Sequence, residues 1–254
     1  MIRLVRAEWT KLFTTRVWLG LLLGACAMAG GFAALFTGFA GRTGNDGQAL
    51  PDIGTSAYEQ AAFAVSANAT VLLLILGIIG MTQEYRHRTA TPTFLTEPRR
   101  WRVVVAKLIA YALIAVPFAL VVLLVSVAVT YVYAGARGAA PSLSADNLQT
   151  LASSGVVLVA FAVIGVGVGA LLRNQVGAIV GSLVYLFVIE GVVASVGVLQ
   201  GAYKWLPGGA VSAITSDFQA PDTLEPWQGG LLLLGYGLLA AVLGTVLAVR
   251  RDVV

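Results

Sequence analysis

The side chains that could carry chemistry are few and lie far apart along the chain. His87 is the only histidine and no H-E-x-x-H motif occurs, so a metal-dependent protease lacks its ligands. No Gly-Lys pair occurs, which excludes a phosphate-binding loop of the G-x-x-x-x-G-K-[ST] type. The charged stretch 82–107 remains, with six cations, two acids and three aromatic residues. Such a mixture is typical of a protein-docking surface, although cations in such a loop can also serve only to set membrane topology.

The composition indicates the environment in which these side chains must be positioned. Hydrophobic residues make up 58% of the 254 residues and charged residues 11%, whereas soluble domains carry roughly a quarter charged residues. The mean hydropathy is +0.87. Disordered chains are poor in apolar residues, and one cysteine, Cys26, cannot form a disulfide scaffold. The chain is therefore predicted to be an integral membrane protein.

Six apolar runs are each long enough to span a bilayer as a helix of about 20 residues. Only the fifth is interrupted by a charge, that of Glu190. We predict an all-α fold of six transmembrane helices in one domain, 1–254, with a long outer loop at 200–227. The predicted spans are about 17–39, 60–82, 107–134, 148–172, 175–198 and 228–249.

The distribution of positive charge predicts the orientation of these helices. One side of the predicted membrane carries 13 Lys and Arg residues and the other side 3. Because cytoplasmic loops are enriched in Lys and Arg, both termini are expected in the cytoplasm. Arginine also outnumbers lysine 13 to 3, which favours a bacterium with a GC-rich genome. We therefore expect a multi-pass protein of the bacterial inner, or plasma, membrane.

The segment 1–16 is predicted to form an amphipathic helix in the membrane interface, containing Glu8, Trp9 and Lys11. The alternative is that it continues straight into the first span. Most of the charged residues of this helix are expected on faces other than its apolar face; they are Arg3, Arg6, Glu8 and Lys11. The apolar face is formed by Ile2, Val5, Trp9, Leu12 and Phe13.

Glycines within the spans predict close helix contacts. Gly165, Gly167 and Gly169 lie in a continuous apolar run with no strand before them, so a packing face is favoured over a nucleotide loop. Gly20 and Gly24 in the first span are interpreted in the same way.

The charged stretch contains Glu84-Tyr85, Thr89, Pro98-Arg99 and Ala106-Lys107. In this order the motifs resemble the loop after the second helix in membrane subunits of type-2 ATP-binding-cassette transporters, a largely exporting family. Arg88 departs from the family, in which glycine often precedes the threonine. The opening A-E-W-T-K-L-F-T-T-R, Ala7–Arg16, also resembles the family's interfacial opening, and weaker similarities are Trp205–Ala210 and Arg250–Asp252.

The resemblance implies a half-transporter. Two membrane subunits, expected to be identical, would pair, and each would sit on a cytoplasmic ATPase subunit. The loop 83–106 would hold a coupling helix inserted into the ATPase. ATP and Mg²⁺ would be bound by the ATPase, and the chain itself would have no catalytic residue, metal or cofactor. No nucleic-acid partner is expected, because the positive charges are placed as membrane orientation requires. The residues that would couple the two subunits are Glu84, Tyr85, Arg86, Arg88, Thr89 and Phe94.

The resemblance also implies that spans 2 and 5 line the substrate pathway. The predicted lining is mostly apolar with sparse polar groups, which suits an amphipathic or lipid-like molecule. Glu190 would either contact a cation or substrate, or lie at the level of the headgroups, protonated or paired with Lys204. The predicted pathway residues are Phe63, Ser66, Asn68, Tyr185 and Glu190.

The leading functional prediction is a permease subunit for export of an amphipathic small molecule or peptide, as in drug efflux. A non-transporting membrane anchor or regulatory subunit is the main alternative. An intramembrane enzyme would need a cluster of acidic, histidine or cysteine side chains, and only Glu190 and Cys26 lie in the spans. A secondary transporter or channel has only Glu190 as support.

Overall fold

The computed structural model describes residues 1–43, 49–87, 89, 95, 99–215 and 223–250. Over these residues the chain forms helices and no β-strand; its one β-bridge joins Thr43 to Ala49. The predicted coupling helix falls largely outside the described residues, as do Arg88 and Phe94.

Two helices form the N-terminal part. Helix α1 is Ile2–Phe13 and α2 is Val17–Phe39. Between them, the hydroxyls of Thr14 and Thr15 donate to the carbonyls of Lys11 and Leu12 at 3.0 and 2.9 Å. Such local side-chain bonds compete with helix continuation. The N-terminal segment is therefore a separate helix and not a straight extension of the first span.

The second span combines three consecutive segments. It consists of α3, Ser56–Ala64, a 3₁₀ segment, Val65–Ala69, and α4, Thr70–Arg86. The Thr55 hydroxyl caps α3 by accepting a hydrogen bond from the N–H of Tyr58 at 3.2 Å. The 3₁₀ segment changes the helical phase in mid-span and carries Asn68, a predicted pathway residue.

Three long helices complete most of the bundle: α5, Arg100–Ala136, α6, Ala145–Leu172, and α11, Pro226–Arg250. The Ser144 hydroxyl caps α6 by accepting from the N–H of Asn147. Helix α6 ends at Arg173, which has a left-handed φ of 51°. Helix α5 is continuous although it contains Pro117.

The fifth span is interrupted in its second half. It begins as α7, Gln175–Val184, widens into a π-helical turn over Tyr185–Ile189, and continues as α8, Glu190–Ser195. Two short helices follow, α9, Gln200–Tyr203, and α10, Pro207–Thr215. These short helices lie in the predicted outer loop.

Six helices in the described part of the chain are long and apolar enough to cross a membrane, which confirms the predicted fold class. The described residues form three apolar cores: the largest lies among α2, α4, α5 and α6, a second among α4, α6, α10 and α11, and a small third one joins α3 to the ends of α2 and α5. The six helices are Val17–Phe39, Ser56–Arg86, Trp101–Ala136, Ala145–Leu172, Gln175–Ser195 and Pro226–Leu243.

Helices α4 and α6 cross with their backbones in contact, and glycines make this possible. A Cβ at Gly165 would overlap the carbonyl of Leu74, and one at Gly77 would overlap the carbonyl of Ala162. Gly169 lies against Met81 in the same way, and Gly167 faces Ala240 of α11. The predicted glycine packing face is thus confirmed in α6. In α2 it is wrong within the described part of the chain, where no atom lies within 4 Å of a Cβ at Gly20 and Gly24 makes only ordinary contact with Leu72.

We expect Gly77→Ala to destabilise the protein by about 1–3 kcal/mol or more. The added methyl group would overlap backbone atoms, which cannot move away as a flexible side chain could. Gly20→Ala is the matched control, with open space around its Cβ. Melting temperatures in detergent, followed by size-exclusion chromatography, measure both effects. Equal melting temperatures for the two variants would contradict the close crossing.

Candidate functional site: a buried charge cluster and an intramembrane cavity

Four charged side chains from three helices meet at one end of the bundle. Helix α1 contributes Glu8 and Lys11, the C-terminal end of α4 contributes Glu84, and the first part of α5 contributes Lys107. We call these four residues the charge cluster. The Lys11 Nζ atom lies 2.8 Å from Glu8 Oε1 and 2.6 Å from Glu84 Oε1. The Lys107 Nζ atom lies 2.6 Å from Glu8 Oε2 and 3.3 Å from Glu84 Oε1.

The charge cluster is largely removed from solvent. Lys107 is 0% exposed, and Glu84 and Glu8 are 3% and 4% exposed. Lys107 also donates a hydrogen bond to the carbonyl of Gly80 at 3.0 Å. Buried charges are costly unless they are paired, and here two ammonium groups balance two carboxylates. The three helices are therefore joined by a neutral network whose members depend on one another.

Lys11 is the most accessible member of the charge cluster, with 39% of its side chain exposed. Burial alone would lower the pKa of Lys11, but the carboxylates of Glu8 and Glu84 outweigh that effect and raise the pKa above its ordinary value. The Lys11 ammonium consequently stays charged throughout the physiological pH range.

The charge cluster fixes both ends of the connection between α4 and α5. Glu84 lies just before this connection and Lys107 shortly after it, and both contact α1 through Glu8 or Lys11. The N–H of Thr89 donates to the carbonyl of Glu84 at 2.9 Å, which extends the fixed region beyond α4. A force applied to this connection would therefore reach α1, α4 and α5 together.

The other predicted coupling residues in the described part of the chain lie at the surface. Arg86 is exposed, and its Nη1 atom lies 3.4 Å from the Gln175 side-chain oxygen. Tyr85 is half-buried, with the Arg173 guanidinium 5.8 Å from its ring centroid. Glu84 differs from them because its carboxylate points inward, so its contribution is to hold the segment in position.

Helix α1 buries two of its residues against the rest of the bundle. Leu12 and Glu8 are buried, whereas Ile2, Trp9 and Phe13 are 86%, 39% and 47% exposed. Glu8 precedes Leu12 by one helical turn, so it lies on the same buried side of α1 as Leu12. The attraction of Lys107 brings that acid to the protein-facing side.

A cavity of about 460 Å³ lies between α2, the 3₁₀ segment, α6 and the helices around the π turn. This volume lies within the range of sites for small molecules. The larger apolar and aromatic residues of the lining are Met28, Phe32, Phe36, Phe161, Phe187 and Tyr203. The charged and polar residues of the lining are Glu190, Asn68, Thr70, Ser212 and Thr215.

The structure separates the predicted pathway residues into two groups. Asn68 and Glu190 line the cavity, and Tyr185 lies beside Glu190. Phe63 and Ser66 are buried, and the Ser66 hydroxyl donates to the Phe63 carbonyl at 2.7 Å. The change of helical phase in the 3₁₀ segment turns Asn68 toward the cavity and Ser66 into the protein.

Glu190 is the charged residue of the cavity lining. It is 4% exposed, which places it inside the protomer and not at its surface. Its Oε2 atom accepts a hydrogen bond from the N–H of Gly208 at 2.8 Å. Gly208 belongs to the first turn of α10, where the free N–H groups favour an anion. The Oε1 atom has no hydrogen-bond partner among the described residues.

A comparison with protein families matches residues 4–189 to a family described as ABC-2 family transporter protein. The match covers more than half of the 254 residues and includes all four members of the charge cluster. The chain belongs to the ABC-2 transporter family. No curated protein matches it.

As a member of the ABC-2 family, the protein is a multi-pass membrane subunit of an ATP-binding-cassette transporter and is not itself the catalytic subunit. The predicted resemblance is thereby confirmed. Among the described residues of this ABC-2 subunit, no three His, Cys, Asp or Glu side chains are grouped to hold a metal ion.

The sequence did not predict how the charge cluster of this ABC-2 subunit is paired. Lys107 was recognised only as part of the Ala106-Lys107 motif, and its partner Glu8 lies 99 residues earlier. A lysine within an apolar run is a signal that a buried acid must face it. The sequence does not indicate which acid that is.

Proposed function

We propose that this ABC-2 subunit is the permease of an exporter for amphipathic or lipid-like molecules, driven by a separate ATPase subunit. The ATPase would dock on the connection between α4 and α5, and both termini would lie on the same, cytoplasmic, side. ATP and Mg²⁺ would be bound by the ATPase and not by this chain. A bacterial inner membrane is the proposed location.

The observation that carries this proposal is the charge cluster. It joins the helix ends on both sides of the predicted docking segment, the connection 87–99 between α4 and α5, to each other and to α1 through contacts of 2.6–3.3 Å. Docking segments that move with an ATPase need such rigid attachment, because a loose loop would absorb the motion. Exposed Arg86 and half-buried Tyr85 would meet the ATPase, and buried Glu84 would hold them in place.

The mechanism follows from this arrangement. Closure of two ATPase subunits on ATP would push the docking segment, and the charge cluster would pass the displacement to α1, α4 and α5 as one unit. Helix α4 crosses α6 with backbone in contact, so α6 would move with it. These movements would change access to the space between paired subunits, which we propose to be two copies of this chain.

The substrate class is supported by the cavity lining. Its aromatic and aliphatic walls favour an apolar body, while Asn68, Ser212 and Glu190 offer a few polar contacts. Export is favoured over import because the family that the chain resembles consists largely of exporters.

The experiment is purification of the tagged chain from its native membrane. The proposal predicts that an ATPase with a phosphate-binding loop copurifies, and that the reconstituted complex moves an amphipathic dye across vesicle membranes only with ATP. Copurification without ATP-dependent transport would favour the anchor or regulatory alternative. Transport by the chain alone would contradict the proposal.

A further inference from the structure

The Glu190 carboxylate is positioned as an anionic anchor in the wall of the cavity. It is buried, it belongs to the lining, and its Oε1 atom has no hydrogen-bond partner among the described residues. A buried carboxylate oxygen without a partner carries a desolvation cost, which a ligand able to donate to it would remove.

The surroundings of Glu190 determine the charge that such a ligand can have. The described residues that line the cavity include no Lys, Arg or His, so the carboxylate has no cationic side chain beside it in the cavity wall. The carboxylate accepts from the Gly208 N–H through Oε2 and lies beside the Tyr185 hydroxyl, and its Oε1 atom has no hydrogen-bond partner among the described residues. A cation complements this arrangement, whereas an anion would be repelled.

The remaining lining determines the shape and polarity of the ligand. Three phenylalanines line the cavity: Phe161 is 3% exposed, and Phe32 and Phe187 are 40% and 62% exposed. Aromatic faces attract cations as well as apolar groups. A compact molecule with an apolar body and one positive charge matches both the walls and the acid.

The backbone at Glu190 is also adapted to this position. The π turn Tyr185–Ile189 ends directly before it, and such turns are frequent at functional sites. Gly208 has no side chain, and a Cβ there would overlap the Glu190 carboxylate. The carboxylate can therefore lie against the start of α10 through Oε2, while Oε1 takes no part in that hydrogen bond.

From this juxtaposition we infer that the cavity binds monocationic amphiphiles and that Glu190 is the residue that selects their charge. The inference rests on the proposed function, because it assigns the substrate class of the exporter. The site lies within one subunit, so it does not require a second copy for binding.

The test uses two probe ions of the same shape and opposite charge, tetraphenylphosphonium and tetraphenylborate. Equilibrium binding of each is measured on the full chain in lipid nanodiscs, with empty nanodiscs subtracted. We expect saturable binding of the cation and much weaker binding of the anion. Glu190→Gln keeps an acceptor for the Gly208 N–H but loses the charge, and it should weaken cation binding by about tenfold or more.

The matched control is Glu225→Gln, which makes the same change at an exposed acid outside the cavity lining and should leave cation affinity unchanged. Equal binding of the two ions by the unmodified chain, absence of saturable cation binding, or unchanged cation affinity in Glu190→Gln would overturn the inference. The comparison of the two ions remains decisive if Glu190→Gln does not fold. Since no ATPase is needed, failure here leaves copurification and ATP-driven transport to be judged separately.

Discussion

Replacing Lys107 with methionine is expected to destabilise the protein by about 3–5 kcal/mol. The substitution preserves an apolar stem of similar length but removes the buried ammonium, so the carboxylates of Glu8 and Glu84 lose the partner that is shielded from solvent. Removing one partner of a buried ion pair typically costs this much stability, because the remaining charge stays buried without its partner. The melting temperature in detergent, together with the yield of monodisperse protein, measures the effect.

Lys11→Met serves as the control within the charge cluster. Its side chain is 39% exposed, so water can partly replace the lost ammonium, and we expect a clearly smaller loss of stability. Combining Lys107→Met with Glu8→Gln should cost less than the sum of the two single changes, since the second change removes a stranded charge. Additive effects, or a normal melting temperature for Lys107→Met, would contradict the buried pairing.

Glu84→Gln is expected to uncouple ATP hydrolysis from transport. The amide keeps the shape of the side chain but weakens both contacts to lysine, so the docking segment would no longer move rigidly with α1 and α5. We expect the ATPase still to copurify. ATP-driven transport in vesicles should fall by about tenfold or more, which is the factor that corresponds to the free energy of one lost charged hydrogen bond. Measurements are made well below the melting temperature of the variant.

Asp146→Asn is the control for this prediction, because it changes an exposed acid at the other end of the bundle. Its transport and ATPase rates should equal those of the unmodified complex. If Glu84→Gln transports normally per ATP hydrolysed, the charge cluster does not carry the coupling.

The sequence predicted features that depend on local composition. Six apolar runs indicated six spanning helices because each run must satisfy its own backbone hydrogen bonds in lipid. Gly165 and Gly169 indicated a close crossing because small residues recur on one helical face. The family followed from ordered motifs around Glu84 and Lys107, which are local as well.

The features that escaped prediction depend on contacts between distant parts of the chain. The burial of Glu8 was not predicted, because its partner, Lys107, is brought to it only by folding. Gly20 was expected to pack closely, but the described residues place no atom near its Cβ. The bond between Glu190 and Gly208 also requires α10 to fold back onto the fifth span, which the composition of the outer loop does not specify.

Site-directed cross-linking tests the central claim, ATPase docking at the connection after α4, most directly. Cys26→Ser removes the single cysteine, and His87→Cys then places one thiol on an exposed residue next to the charge cluster. With a short maleimide–benzophenone reagent, which attaches to the thiol and on illumination inserts into C–H bonds of a neighbouring protein, we predict a product that contains the ATPase subunit, and none from Asp146→Cys in the same background. A product from Asp146→Cys, or no ATPase product from His87→Cys in the intact complex, would contradict it.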